Sequence, residues 1–456
     1  MNFGQAGEQL CLAEEFTSTT AVTVKRPSLL PDEASTPIRH ALEKRYRKVL
    51  VERRDYRQLV TYVPNKNLPI YNWFRYKEGF SRQLVLNLAA KFGLEKGDAV
   101  YDPFAGCGTT LLSSKELGLT AIGTDMLPVA VFASQVKISK WPEPSVLSHA
   151  VGKLLHAPFK TPIESLPQIP IIDLAFSAEV QEQILFFKEQ IDAFELPVRN
   201  FMMLGLLSIL ESVSTTSKDG QFLRLVEKTI PKPREVLRTT LMAMIDDLSS
   251  TLPFIRKLRG NGKVSAILGD ARELCLSQRL HGKIDAVITS PPYLNRYDYT
   301  RSYALELCLM SIKNHHEMVK LRHSLLRSHI ESRNHENKEV CLPALDEILT
   351  QLNQKVLNNN RLPIMVKAYF EDMNLVIRNL ATYLKPGGKV ALVVANAQFA
   401  GESVPTDFML SELAPQHGFQ TDEIWITRYK GNSSQQMAIY GRRPVRESIV
   451  FWRKNV

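Results

Sequence analysis

The stretch Asp102–Thr110, DPFAGCGTT, restricts the fold more than any other part of the chain. A short β-rich run, DAVYDPF (98–104), gives way directly to a helical pattern, TTLLSSKELG (109–118), with two glycines at the junction. Glycine accepts the left-handed backbone that such a corner needs and lets a ligand approach closely. A second strand-like run, TAIGTD (120–125), ends on Asp125 and leads into another helical pattern, LPVAVFASQVKIS. Strand, turn, helix and strand at this spacing call for parallel pairing, with the helix crossing one face of a sheet.

The same rhythm recurs. A helix, LVLNLAAKFGL, precedes the glycine turn, and strands follow at KVSAILGD (263–270) and KIDAVITSPPY (283–293). A helix, AYFEDMNLVIRNLATYL (368–384), then runs into KPGGKVALVVAN (385–396), TDEIWITR (421–428) and ESIVFWRK (447–454). About seven strands are expected, in an α/β, Rossmann-like sheet. Residues 1–40 read as a flexible N-terminal segment. Residues 41–140 and 263–456 form a discontinuous α/β domain. A helical insertion (141–262) and a charged one (311–362) interrupt it. The basic run ALEKRYRKVLVERRDYRQLV (41–60) is expected to be helical, either as a solvated face or as a phosphate-contacting arm.

Composition narrows the partners. The formal charge of +10 and pI of about 9.2 favour a polyanion. The five cysteines are scattered and form no C-x-x-C pair, so neither a zinc ribbon nor a disulfide scaffold is indicated, and a reducing cytoplasm is expected. The most apolar helical stretch, FMMLGLLSIL, is about half the length of a membrane span. No membrane role is expected.

The glycine turn lacks the lysine of a phosphate-binding loop and the third glycine of the dinucleotide fingerprint. An adenosine compound without pyrophosphate fits better, and S-adenosylmethionine is one. Asp125 is placed to take its ribose, Asp102 its ammonium and Asp270 its adenine amino group, unless each merely caps a helix. Ser290-Pro291-Pro292-Tyr293 ends a further strand, because neither proline can donate a ladder hydrogen bond. Ligands of such sheets sit beyond the strand carboxyl ends, so this corner and the glycine turn face one crevice.

DPFAGCGTT and SPPY together resemble the two signature motifs of S-adenosylmethionine-dependent DNA amino-methyltransferases. These make N4-methylcytosine or N6-methyladenine, and the Ser form is most similar to the N4-cytosine members. The resemblance covers residues 71–140 and 263–310. RYKGNSSQQMAIYGRRPVRESIVFW (428–452) is similar to their closing segments, and NWFRYKEGFSRQLV (72–85) resembles their helix near the cofactor. It implies a class I methyltransferase sheet, mostly parallel, with one antiparallel strand near the C-terminus. It implies cofactor contacts from Phe80, Ser81, Asp102, Pro103, Phe104, Ala105, Gly106, Gly108, Thr109, Thr110, Asp125, Met126, Asp270 and Ala271. Ser290, Pro291, Pro292 and Tyr293 would be catalytic, acting on a base flipped out of double-stranded DNA. A cognate restriction endonuclease is an expected partner.

The chemistry suits these residue types. An exocyclic amine is a poor nucleophile because its lone pair is delocalised into the ring. Hydrogen bonds from its N–H groups to the Ser290 hydroxyl and the Pro291 carbonyl would restore the lone pair. Tyr293 offers a stacking face, and Tyr297 and Tyr299 are either core or base contacts. No Pro-Cys pair exists for a C5-cytosine mechanism, and no metal is needed. Target recognition is expected from the basic stretch Ser214–Glu235, through Lys218, Arg224, Lys228, Lys232 and Arg234, or from 311–362. The polar cluster Asn432, Ser433, Ser434, Gln435 and Gln436 is a further candidate. Adenine-N6 methylation, RNA base methylation and a catalytically silent DNA-binding homologue are the alternatives.

Overall fold

The computed structural model describes residues 30, 33–218, 223–250, 252–258, 263–333, 340–431, 441 and 444–456. Its centre is an eight-stranded sheet. The strands are β1 (Leu50–Glu52), β2 (Ala99–Asp102), β3 (Thr120–Asp125), β4 (Val264–Leu268), β5 (Ile284–Thr289), β6 (Leu384–Ala395), β7 (Phe419–Lys430) and β8 (Val445–Lys454). Their spatial order is β1-β7-β8-β6-β5-β2-β3-β4. Only β8 runs against its neighbours, β7 and β6; the other pairs are parallel. The sheet is thus a class I methyltransferase sheet, with one strand more than expected.

That extra strand corrects the reading of residues 41–60. The helix spans Pro37–Tyr46, and Leu50–Glu52 then pairs with Ile424–Ile426. β-branched and apolar residues there complete the sheet edge instead of continuing a helix. The N-terminal boundary at residue 40 moves as well. Arg39 is fully buried and ion-paired to Glu347 and Glu402, so the chain is anchored before that point.

Side chains alternate across the sheet, as period two requires. On β5, Ala286 and Ile288 join the cluster with Leu84 and Leu88 of the helix Arg82–Phe92. Val287 joins Tyr369 and Met373 of the helix Leu362–Tyr383 in a separate cluster. Helices of the first insertion pack into one core with the helices that follow β2 and β3. Leu111 and Val129 share it with Phe201, Leu204 and Leu241. Trp73 ties the two parts together, donating to Asp247 at 2.8 Å and meeting Phe201 edge-on. FMMLGLLSIL lies in the buried helix Val198–Ile209. No helix of the described residues is long and apolar enough to cross a membrane.

A buried ionic network fixes the second insertion. Asp372 accepts from Arg272 at 3.0 Å and from Arg327 at 2.7 Å, and Arg327 also pairs with Glu371. Removing one member of such a set leaves the others charged and desolvated. Asp372→Ala should therefore lower the unfolding free energy by about 3–5 kcal/mol in urea titrations, against a smaller loss for an exposed pair such as Arg453–Asp422.

Candidate active site

Register decides where the motifs meet. β2 pairs with β3 from Ala99↔Thr120 to Asp102↔Gly123, and with β5 at Val100↔Ala286. Asp102, Asp125 and Thr289 therefore all end their strands at one edge of the sheet. Thr289 donates to Asp102 at 2.6 Å, and Thr110 donates to the Ile288 carbonyl at 3.3 Å. The residue next to Thr289 is Ser290, so the glycine turn and the double-proline corner are joined directly.

A cleft of about 1010 Å³, counted out to solvent, opens beyond that edge. Phe80, Asp102, Pro103, Phe104, Ala105, Gly106, Thr109, Thr110, Asp125, Met126, Asp270, Ala271, Ser290 and Pro292 all line it. Pro291 and Tyr293 line an adjoining cavity, which shares Ser290 with the first. Ser81 and Gly108 line neither. Ser81 is fully buried and caps the helix Arg82–Phe92, accepting from the Leu84 amide at 3.2 Å.

The glycines act differently from the sequence expectation. Both have positive φ, 51° at Gly106 and 84° at Gly108. A Cβ at Gly106 would lie 2.8 Å from the Tyr76 ring, and one at Gly108 would lie 2.2 Å from Ser134 Oγ. Protein side chains, not ligand, occupy the space a Cβ would need. The turn's amides are also engaged internally: Phe104 on Asp102, Gly106 on Asp125, Ala105 on Thr124 and Gly108 on Ala105.

The three aspartates have different settings. Asp102 is buried, and its hydrogen bonds come from Thr289 and the Phe104 amide. Burial pushes its carboxyl up to about 6, partly offset by those bonds. Asp125 is also pushed up by burial, and accepts from Gly106 and Leu127 amides at 2.9 Å each. Asp270 lines the cleft with a partner of its own. Both its oxygens face the Arg272 guanidinium, at 2.9 and 2.6 Å, so it is neutralised within the protein.

Several residues were not expected at the cleft. Arg322, Leu325, Leu326, Ser328, His329 and Ser332 line the cleft. They belong to the second insertion, which was expected to contact DNA. The Arg296 amide donates to Ser328 at 3.2 Å, with Arg296 itself in left-handed backbone at φ 65°. Nothing in a charged run signals such docking; it depends on Asp372, far along the chain. Glu447 is another. It is buried, and accepts from Tyr293 at 2.9 Å, from Lys430 at 3.2 Å and from Arg428.

Most of the proposed phosphate contacts are otherwise engaged. Lys218 is buried and paired with Glu306 beneath the Tyr303 ring. Lys228 donates to the Glu211 and Thr216 carbonyls, and Arg234 to the Leu155 and Ala157 carbonyls at a helix end. Arg224 and Lys232 are exposed. Asn432–Gln436 lie outside the described residues.

No family model matches the chain. Curated relatives do. A type II methyltransferase, M.BsoBI of Geobacillus stearothermophilus, is 34% identical over 475 residues, covering 91% of each chain. The chain belongs to the type II methyltransferase family. M.AvaI of Nostoc is 32% identical and covers 91% of this chain and 92% of its own. M.MvaI of Kocuria varians is 25% identical over 69% of this chain and 73% of its own. Among solved structures, an rRNA methyltransferase of Streptomyces viridochromogenes aligns at a TM-score of 0.29 and 12% identity, so the fold assignment rests on strand order. This type II methyltransferase acts on DNA, with S-adenosylmethionine as methyl donor. The cleft suits that donor, since Asp102 is a buried carboxylate with no cation beside it among the described residues.

Gly108→Ala should destabilise the protein by about 1–3 kcal/mol through overpacking against the helix Pro128–Ile138. Ser134→Ala in the same chain should recover part of that loss, because Ser134 Oγ is the nearest obstacle. Thermal melts of the two single variants and the double variant measure the coupling.

Proposed function

We propose that the protein methylates the N4 amino group of cytosine in double-stranded DNA. Transfer is direct and in line, on a base flipped into the cavity beside Ser290. The observation that carries this reading is the shared wall: Ser290 lines both the donor cleft and the adjoining cavity that contains Pro291 and Tyr293.

The donor supplies a methyl group already activated on a sulfonium. The chain's own residues hold and orient. Asp102 receives the donor's ammonium, and Asp125 its ribose hydroxyls while also bracing Gly106. Phe80, Pro103, Phe104, Ala105, Thr109, Thr110, Met126 and Ala271 complete that pocket. Ser290 donates its only proton to the Val393 carbonyl at 3.2 Å, which leaves its lone pairs to accept from the amine N–H. The Pro291 carbonyl, fixed by two prolines, takes the second N–H. The nitrogen lone pair then points at the methyl group, with the geometry set before reaction. Tyr293, held by Glu447, stacks on the base, returning about 1–3 kcal/mol toward the cost of flipping.

The helices of 141–262, with exposed Arg224 and Lys232, supply the DNA-contacting face in this reading, and a cognate restriction endonuclease is the partner. The test is incubation with tritiated S-adenosylmethionine and unmethylated phage DNA, followed by nucleoside analysis. Label in N4-methylcytosine is expected; label in N6-methyladenine would transfer the same mechanism to adenine. Ser290→Ala should slow transfer at least about 100-fold and leave donor affinity nearly unchanged.

Asp102 adds a pH dependence with a defined sign. Burial holds its carboxyl at about 6. An ammonium needs the ionised form, so donor binding should be full above pH 7 and weaken as pH falls through about 6. Calorimetry between pH 8 and 5 reads this. Asp102→Asn should bind weakly at every pH and lose that slope.

A further inference from the structure

Glu78 lies in the segment 72–85 and has no part in the reading above. It lines both the donor cleft and the adjoining cavity, together with Gly79, Ser290, Tyr297 and Tyr299. Among the described residues it is the one charged side chain common to both. One oxygen accepts from the Tyr303 hydroxyl at 2.5 Å. The other, Oε1, is buried and makes no hydrogen bond of ordinary geometry among the described residues; the Tyr297 hydroxyl is in the same condition and lies close enough to interact with the Glu78 carboxylate. A buried acceptor without a donor costs free energy, and at a boundary between two cavities it marks a place for a donor that arrives with substrate.

We propose that Glu78 is a catalytic residue that accepts the proton lost by the exocyclic amine during methyl transfer. The inference rests on the amino-methyl reading of the Ser290 corner. As the nitrogen–carbon bond forms, the carbon–sulfur bond breaks and its electron pair stays on sulfur, which becomes a neutral thioether. The nitrogen then carries the positive charge until the N–H that Ser290 accepted turns to Glu78 Oε1 on the same wall and gives up its proton. Water takes that proton after product leaves, and the carboxylate is restored.

A methylated ammonium beside a wall of buried tyrosines is costly, and a carboxylate on that wall removes the charge where it forms. The surroundings leave this role to Glu78. Tyr76, Tyr297, Tyr299 and Tyr303 face it with hydroxyls whose pKa burial raises, so they stay protonated. Lys77 lies 5.8 Å from the Tyr297 ring, and Lys218, 4.3 Å from the Tyr303 ring, is already paired with Glu306. Asp125, the other carboxylate acting on Tyr76 and Tyr299, is engaged by backbone amides.

Glu78→Gln tests this, since the amide can still accept from Tyr303. Three quantities are read: donor affinity by calorimetry, melting temperature, and the single-turnover rate on unmethylated phage DNA with enzyme in excess. The rate should fall about 100-fold or more, with the other two nearly unchanged. Tyr303→Phe, which removes the Oε2 hydrogen bond but keeps the carboxylate, should lose at least about tenfold less rate than Glu78→Gln. A wild-type rate in Glu78→Gln overturns the proposal. So does a loss that tracks donor affinity or stability, or one that Tyr303→Phe reproduces. Failure of the amino-methyl reading has a separate signature, because wild-type enzyme would then place no label on an exocyclic nitrogen.

Discussion

The hydrogen bond from Thr289 to Asp102 holds the site together. It joins the ends of two neighbouring parallel strands, one leading into the glycine turn and the other into Ser-Pro-Pro-Tyr. Because Asp102 is buried, the 2.6 Å contact is not weakened by competing water. The same carboxylate caps the Phe104 amide, so one side chain sets both the spacing of the loops and the start of the turn. Parallel register makes the contact possible, since it brings the strand carboxyl ends to one edge.

Around this contact the protein uses carboxylates in several ways. Asp270 is neutralised by Arg272, and Asp372 by two arginines; these are structural. Glu447 gathers Tyr293, Arg428 and Lys430, and so orients an aromatic face at the edge of the cavity. Among the described residues no cation is paired with Asp102, Asp125 or Glu78 in this way, and all three line the cleft. Asp270 also lines the cleft, but with its charge already met by Arg272.

Much of the fold was legible in the chain. Period-two and helical patterns marked seven of the eight strands along the chain and the helix Thr109–Leu117. The Pro-Pro corner marked a strand end, and the glycine pair marked a left-handed turn. Errors fell where local pattern and tertiary context disagree. The basic run 41–60 contains β1, whose three residues have too little pattern of their own and are strand only because β7 offers an edge. Lys218, Lys228 and Arg234 looked like phosphate contacts because a sequence shows charge but not its partner. Gly106 and Gly108 were rightly expected to turn, yet the atoms they make room for belong to Tyr76 and Ser134.

Sequence by itself determined the local chemistry: which residues can turn, end a strand, accept a proton or stack. Those properties belong to single residues and their immediate neighbours. Tertiary structure alone decided which of those groups share a space. The segment 322–332 lines the cleft because Asp372 binds Arg272 and Arg327 from a distant helix. Glu78 stands between two cavities because one helix entry packs beside the double-proline corner. Such contacts join residues far apart along the chain. Their free energy comes from burial and charge pairing, which exist only once the chain has closed on itself.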